Sequence, residues 1–380
     1  MAWAGLAPAA GLGIAATPAG GAVTGSTFRH NRIGAFSDLA PDMRWTGNRF
    51  LANAGHGFDA HGGCRALVLE ANTATGNAGH GFLLARGCRD NLLVANRAAG
   101  NRGGGIVLGN GSAAGARASG NTVIANTVTD NAAGLVVDGG AANRLRGNTV
   151  RGGGTGIELR EARANPVEGN IVSDVRGPGI DLDGGAANTV TGNRVERSHI
   201  GLYLKGAARG GTLSRNQIVA SAQFGIYLSE GARGNRASAN LVQGAFSGIR
   251  ARDARANRIA GNTILAATDS GISLHGDVRG TLVRGNLVAG RGGRWPIEQR
   301  STPAGLAGVR VEANRTDGWV VARPRLAPAD RLGHFLRFHP TALLWALVLL
   351  VPVLLAPLRL RQRRQVRRWY KTATTGRHDA

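Results

Sequence analysis

The sequence predicts a right-handed parallel β-helix of about twelve coils. Three observations carry this: an asparagine recurring every 22 to 24 residues, a glycine before an apolar residue eight or nine positions after each asparagine, and a composition of 60 glycines with only 5% aromatics. Such a composition does not describe two or three ordinary packed domains in 380 residues, and a fixed period of this length marks a stacked repeat.

The asparagine series runs Ser26, Asn48, Asn72, Asn96, Asn126, Asn148, Asn170, Asn193, Asn216, Asn240, Asn262 and Asn286, with Asn314 as an outlying member. The glycine series runs Gly34, Gly57, Gly81, Gly105, Gly134, Gly156, Gly179, Gly201, Gly225, Gly248 and Gly271. A coil this short cannot enclose its own apolar face, so coils must stack in register, with equivalent residues about 4.8 Å apart. The asparagines then form an amide ladder at a tight bend, and the glycines are expected to supply a positive φ there. After each glycine, apolar and variable residues alternate, as in Ile157-Glu158-Leu159-Arg160 and Ile180-Asp181-Leu182-Asp183, so the apolar ones face inward and the variable ones face solvent. The step from Asn96 to Asn126 is 30 residues and contains a glycine-rich run over 109–115, which reads as a loop inserted beside a groove.

Residues 1–24 lack a basic start and an unbroken apolar stretch, so no signal peptide is evident. Gly13-Ile14 and Val23-Thr24-Gly25-Ser26 already fit the coil pattern. The expectation is that further coils, an end cap and a leader precede this start. The repeat is expected over 1–290, followed by a cap and juxtamembrane linker over 291–340. Residues 341–358 are apolar and uncharged, long enough for one transmembrane helix, and the arginine-rich tail 359–380 marks the cytoplasmic side. That orientation puts the β-helix outside the cytoplasm.

The formal charge is +23, and the tail holds only eight of the basic residues, so the solenoid itself is basic. The expected partner is a polyanion such as an acidic polysaccharide. No helical basic stripe or zinc pattern points to nucleic acid. Cys64 and Cys88 each follow their coil's glycine by seven residues and should stack on neighbouring coils, leaving open a disulfide or two buried thiols.

Two outward patches stand out. One holds His56, Asp59 and His61, with His80 and Arg86 one coil on; the other holds Glu158, Arg160, Asp181, Asp183, Tyr203, Lys205 and Tyr227. The segment Gly57-Phe58-Asp59-Ala60-His61-Gly62 resembles the Tyr-Gly-Phe-Asp-Pro-His-Asp/Glu signature of mannuronan C5-epimerases, and the likeness extends over about residues 30–140 through Leu67-Val68-Leu69-Glu70 and His80-Gly81-Phe82. His56 stands where that family has tyrosine, Ala60 where it has proline, and Gly62 where it has the final acid. The resemblance implies that Asp59 engages a uronate carboxylate and that His61 serves as base or acid at C5. Arg65 or Arg86 would then neutralise the carboxylate, since no lysine precedes Lys205. A uronan lyase would use the same proton abstraction, followed by loss of the C4 oxygen. A noncatalytic carbohydrate-binding module, or a β-helix serving envelope or metallocentre assembly, is the rival of a different class. In the second patch, tyrosines could stack on sugar rings while Arg160 and Lys205 pair with carboxylates. No cofactor is required. Asp138, Asp181 and Asp183 sit in columns compatible with Ca2+, without the nonapeptide repeat of calcium-loaded β-helices.

Overall fold

The computed structural model describes the backbone of residues 12–15 and the whole of 20–85, 87–109 and 117–322. These residues wind into a parallel β-helix with three faces. Each face is a thirteen-stranded sheet, and successive strands in one sheet come from successive coils. The first sheet runs from Leu12–Ala15 through Phe58–His61 and Pro178–Asp183 to Ile297–Arg300. The second runs from Gly21–Thr24 to Arg310–Glu312, and the third from Thr27–Arg29 to Trp319–Val321. All pairings are parallel, and repeated crossovers between parallel strands give the helix its right hand.

The inward residues of every strand form one continuous core, including Phe58, Phe82, Ile106, Leu135 and Ile157 on the first sheet. At the N-terminal end the core is aromatic, with Trp45 edge-on to Phe58 at 4.9 Å and Phe50 edge-on to Phe82 at 6.0 Å.

Asparagine ladders join the coils at all three corners, where the sequence reading found one. The predicted ladder lies between the second and third sheets and continues to Asn314. A second follows the third sheet through Asn53, Asn77, Asn101 and Asn131. A third precedes the second sheet through Asn91, Asn121, Asn143, Asn165 and Asn188. In each, an amide oxygen accepts from the backbone N–H and the amide of the preceding coil's asparagine.

Two expectations need correction. The glycine series does not have positive φ; left-handed residues stand elsewhere, such as Gly47, Ala71 and Ala95 directly before ladder asparagines. The glycines are needed because the next coil's backbone passes too close: a Cβ on Gly81 would lie 2.6 Å from the carbonyl oxygen of Gly105. Nor does the helix end at 290, since strands Ile297–Arg300, Arg310–Glu312 and Trp319–Val321 extend the three sheets by a further coil. That coil is hidden in sequence because a longer connection with a 3-10 turn, Ala304–Leu306, breaks its spacing.

Cys64 and Cys88 are disulfide-bonded, with a Cα–Cα distance of 4.4 Å. Among the described residues no helix is long and apolar enough to cross a membrane. The proposed span 341–358 and tail 359–380 lie outside the described residues, as does the loop over 110–116.

Candidate functional site

Because register is exact from coil to coil, one outward column of the first sheet reads Phe36, Asp59, Leu83, Val107, Val136, Glu158, Asp181, Tyr203, Tyr227, Arg250, Ser273 and Glu298. A neighbouring column carries Asp38 and His61 at one end, and Asp138, Arg160, Asp183 and Lys205 further on. Both predicted patches therefore share one face. Five coil steps separate Asp59 from Asp181, about 24 Å, and buried Leu83, Val107 and Val136 lie between them.

In the first patch, His61 Nε2 lies 2.7 Å from Asp59 Oδ1. Among the described residues the oxygen has no well-directed hydrogen-bond donor, so this is a close polar contact off the ring N–H axis. The Asp59 side chain is 5% exposed and that of His61 35%. Burial raises the Asp59 pKa, against the opposing pull of His61 and His56. His56 and His80 stack at 4.9 Å. Nδ1 of His56 accepts the His80 backbone N–H at 2.9 Å, and Nδ1 of His80 accepts that of Gly104 at 2.8 Å. This arrangement puts the proton of each neutral ring on Nε2. Burial lowers the pKa of both, that of His80 to about 4.

Arg65 stands past the disulfide corner, bridged to Arg89, and makes no ion pair with Asp59 among the described residues. Arg86 lies outside the described residues.

In the second patch, Arg160 holds Glu158 through two hydrogen bonds of 2.6 and 2.8 Å. Lys205 Nζ lies 3.3 Å from Asp181 and 3.2 Å from Asp183. Tyr203 and Tyr227 stack on each other at 5.0 Å with planes 5° apart, so each ring has one face already covered. The Tyr203 hydroxyl donates to Glu230 and accepts from Ser229. Both cations that sequence reasoning offered to a ligand thus have internal partners. Among the described residues, no group of three or more histidine, cysteine or acidic side chains is arranged to hold a metal.

Sequence reasoning missed the continuation of this patch over Phe224, Arg250 and His275, because no repeated residue type flags it. Only register, which places Arg250 beside Tyr227, brings it to the face.

Burial raises the Asp181 pKa to about 6. In the unfolded chain the same group titrates near 3.8, so its contribution to stability rises as pH falls through that interval. His80 and His275, both lowered to about 4 by burial, have the opposite sign and cost stability as pH falls from 6.5. Asp181→Asn is therefore expected to steepen the loss of melting temperature between pH 6 and 4, and His80→Gln to flatten it. Thermal melts across that range check the two opposite slopes.

A model of the right-handed β-helix region family matches residues 7–128, 113–264 and 167–312. No curated protein sequence matches this one. Among solved structures, a double mutant of the periplasmic alginate epimerase AlgG aligns with a TM-score of 0.51 and 13% identity, over 73% of this chain and 75% of that one. The A-module of the mannuronan C-5 epimerase AlgE4 from Azotobacter vinelandii gives 0.39 and 20% identity, over 57% and 60%. An alginate lyase from Paenibacillus sp. str. FPU-7 gives 0.39 and 13%, over 63% and 92%. At 13% identity the likeness to AlgG is one of fold.

Proposed function

We propose, from the premise that the chain belongs to the right-handed β-helix family, that it binds an acidic polysaccharide along the outward face of its first sheet and that His61 abstracts the C5 proton of a bound uronate. The observation that carries this reading is the partly exposed His61 held 2.7 Å from the nearly buried Asp59. A nearly buried carboxylate this close to an imidazole stabilises the imidazolium formed when the ring takes a proton. That casts Asp59 as the partner of His61, where the epimerase resemblance has it meet the substrate carboxylate. His56 is neutral with its proton on Nε2, so it serves as a hydrogen-bond donor to the enolate-like intermediate. The structural neighbour AlgG, described as a periplasmic alginate epimerase, fits this substrate class.

The protein is placed outside the cytoplasm and anchored through 341–358. The apolar run and the Cys64–Cys88 disulfide, which calls for an oxidising compartment, support that placement.

A second reading, a noncatalytic binding module, is favoured by one observation: His56 and His80 each spend Nδ1 on the backbone of the next coil, as structural groups do. Incubation with polymannuronate in deuterated water separates the readings. Deuterium at C5 with new guluronate signals is expected, abolished in His61→Ala while polymer binding persists. Unsaturated chain ends would assign a lyase. Binding without exchange in the unaltered protein would assign the module.

A further inference from the structure

Among the described residues, one cation of the outward face has an environment that differs from the others. Arg160 is held by Glu158, Lys205 by Asp181 and Asp183, Arg252 by Asp253, and Arg294 by Asp269. Arg250, in the central column beside Tyr227, has no carboxylate within ion-pair distance among the described residues. Its guanidinium lies 5.1 Å from the centre of the Phe224 ring. One terminal nitrogen contacts His275 at 3.0 Å from Nδ1 and 3.3 Å from Nε2, and the buried Nε has no hydrogen-bond partner among the described residues. An arginine that is half removed from water, with a buried donor unmet and its nearest acids, Asp269 and Glu298, outside ion-pair distance, is costly to the fold. Nε is enclosed, so an anion from solvent meets the terminal nitrogens, and pairing there offsets the cost of the half-buried charge.

We propose that Arg250 is a carboxylate-binding subsite, taking one uronate carboxylate in its planar fork while Phe224 backs the guanidinium and His275 fixes its rotation. Arginine suits this task because its donors are coplanar and spaced to meet both oxygens of a carboxylate. The ring behind it holds that plane without competing for the donors. His275 stays uncharged well below neutrality, through burial first and the neighbouring Arg250 next, so it adds no second positive charge. The proposal rests on the polysaccharide reading above and extends it. Eight coil steps separate Asp59 from Arg250, about 38 Å along the axis. A chain reaching His61 and Arg250 together is therefore a polymer of many sugars.

The test is titration calorimetry of the full chain with polymannuronate, and with the same polymer after its carboxylates have been reduced to alcohols. Arg250→Gln is expected to weaken binding of the acidic polymer about tenfold and to leave binding of the reduced polymer unchanged. Arg252→Gln, exposed and paired with Asp253, should change the acidic polymer's affinity less than about twofold. Arg250→Lys keeps the charge without the fork and should fall between; it also carries the test should the glutamine variant not fold. If Arg250→Gln and Arg250→Lys bind the acidic polymer as the unaltered protein does, the subsite is wrong while the polysaccharide reading survives. Equal weakening toward both polymers overturns carboxylate recognition, and failure of the unaltered protein to bind polymannuronate overturns both.

Discussion

Replacing Gly81 by alanine is expected to destabilise the solenoid by about 3 kcal/mol, the cost of forcing an extra methyl group into a packed core. The added Cβ would lie 2.6 Å from the carbonyl oxygen of Gly105, 2.9 Å from the Asn101 amide nitrogen and 3.2 Å from the Ala98 Cβ. None of the three can retreat. The Gly105 oxygen belongs to the adjoining strand, and the Asn101 amide donates to Ala74 and Asn131 within its ladder. A comparison within the same coil isolates the cause. Gly76, five residues earlier, has φ +65° and open space where its Cβ would stand. The equivalent corner residues Ala52 and Ala220 are already alanines in the left-handed region. Gly76→Ala should therefore cost only the torsional preference, about 1 kcal/mol. Urea unfolding of the two variants reads the difference, and equal losses would mean that torsion rather than coil-to-coil contact explains the glycine column.

That contrast also marks what the sequence could and could not disclose. The coil period, the inward alternation and the ladder from Asn48 to Asn286 are legible because the same residue type returns at a nearly constant interval. The other two ladders are not, because they are broken: Gly153 follows Asn131 in one corner column, and Gly211 interrupts the other between Asn188 and Asn235. The glycine column was legible as a column but not as a cause, since positive φ and close backbone approach both select glycine. At the candidate site, residue types were visible and partners were not. His56, Asp59 and His61 could be placed on one face from their spacing. That Arg160 and Lys205 are already occupied depends on which acids the register sets beside them. Arg250 was invisible for the same reason, being one arginine among many until its neighbours are known.

The largest loss from a single amide is expected at Asn126→Ala, about 4 kcal/mol, the sum for two buried donors left without partners. The Asn126 oxygen accepts from the backbone N–H of Asn96 at 2.8 Å and from its amide at 3.0 Å. Its own amide donates to the carbonyls of Leu93 and Ile124 and to Asn148. Ile124 keeps a second donor in Ala95, Asn148 keeps the backbone N–H of residue 126, and the Asn96 amide keeps Leu69. The groups orphaned are the Asn96 backbone N–H and one Asn96 amide hydrogen, both inside the corner, while the Leu93 carbonyl keeps the Ile124 N–H of the parallel strand pair. The position in the stack adds a second effect. In a solenoid each coil contacts only its neighbours, so a defect between the fourth and fifth of thirteen coils weakens one interface and leaves the rest intact. Unfolding in urea should then become biphasic, the flanking coils melting separately. Asn314→Ala is the control: it is the last described rung of the same ladder and only partly buried, so water can reach the groups it leaves, and it should cost about 1 kcal/mol with a single transition. A loss at Asn126 no greater than that at Asn314, with one transition in both, would show that the ladder is not what couples the coils.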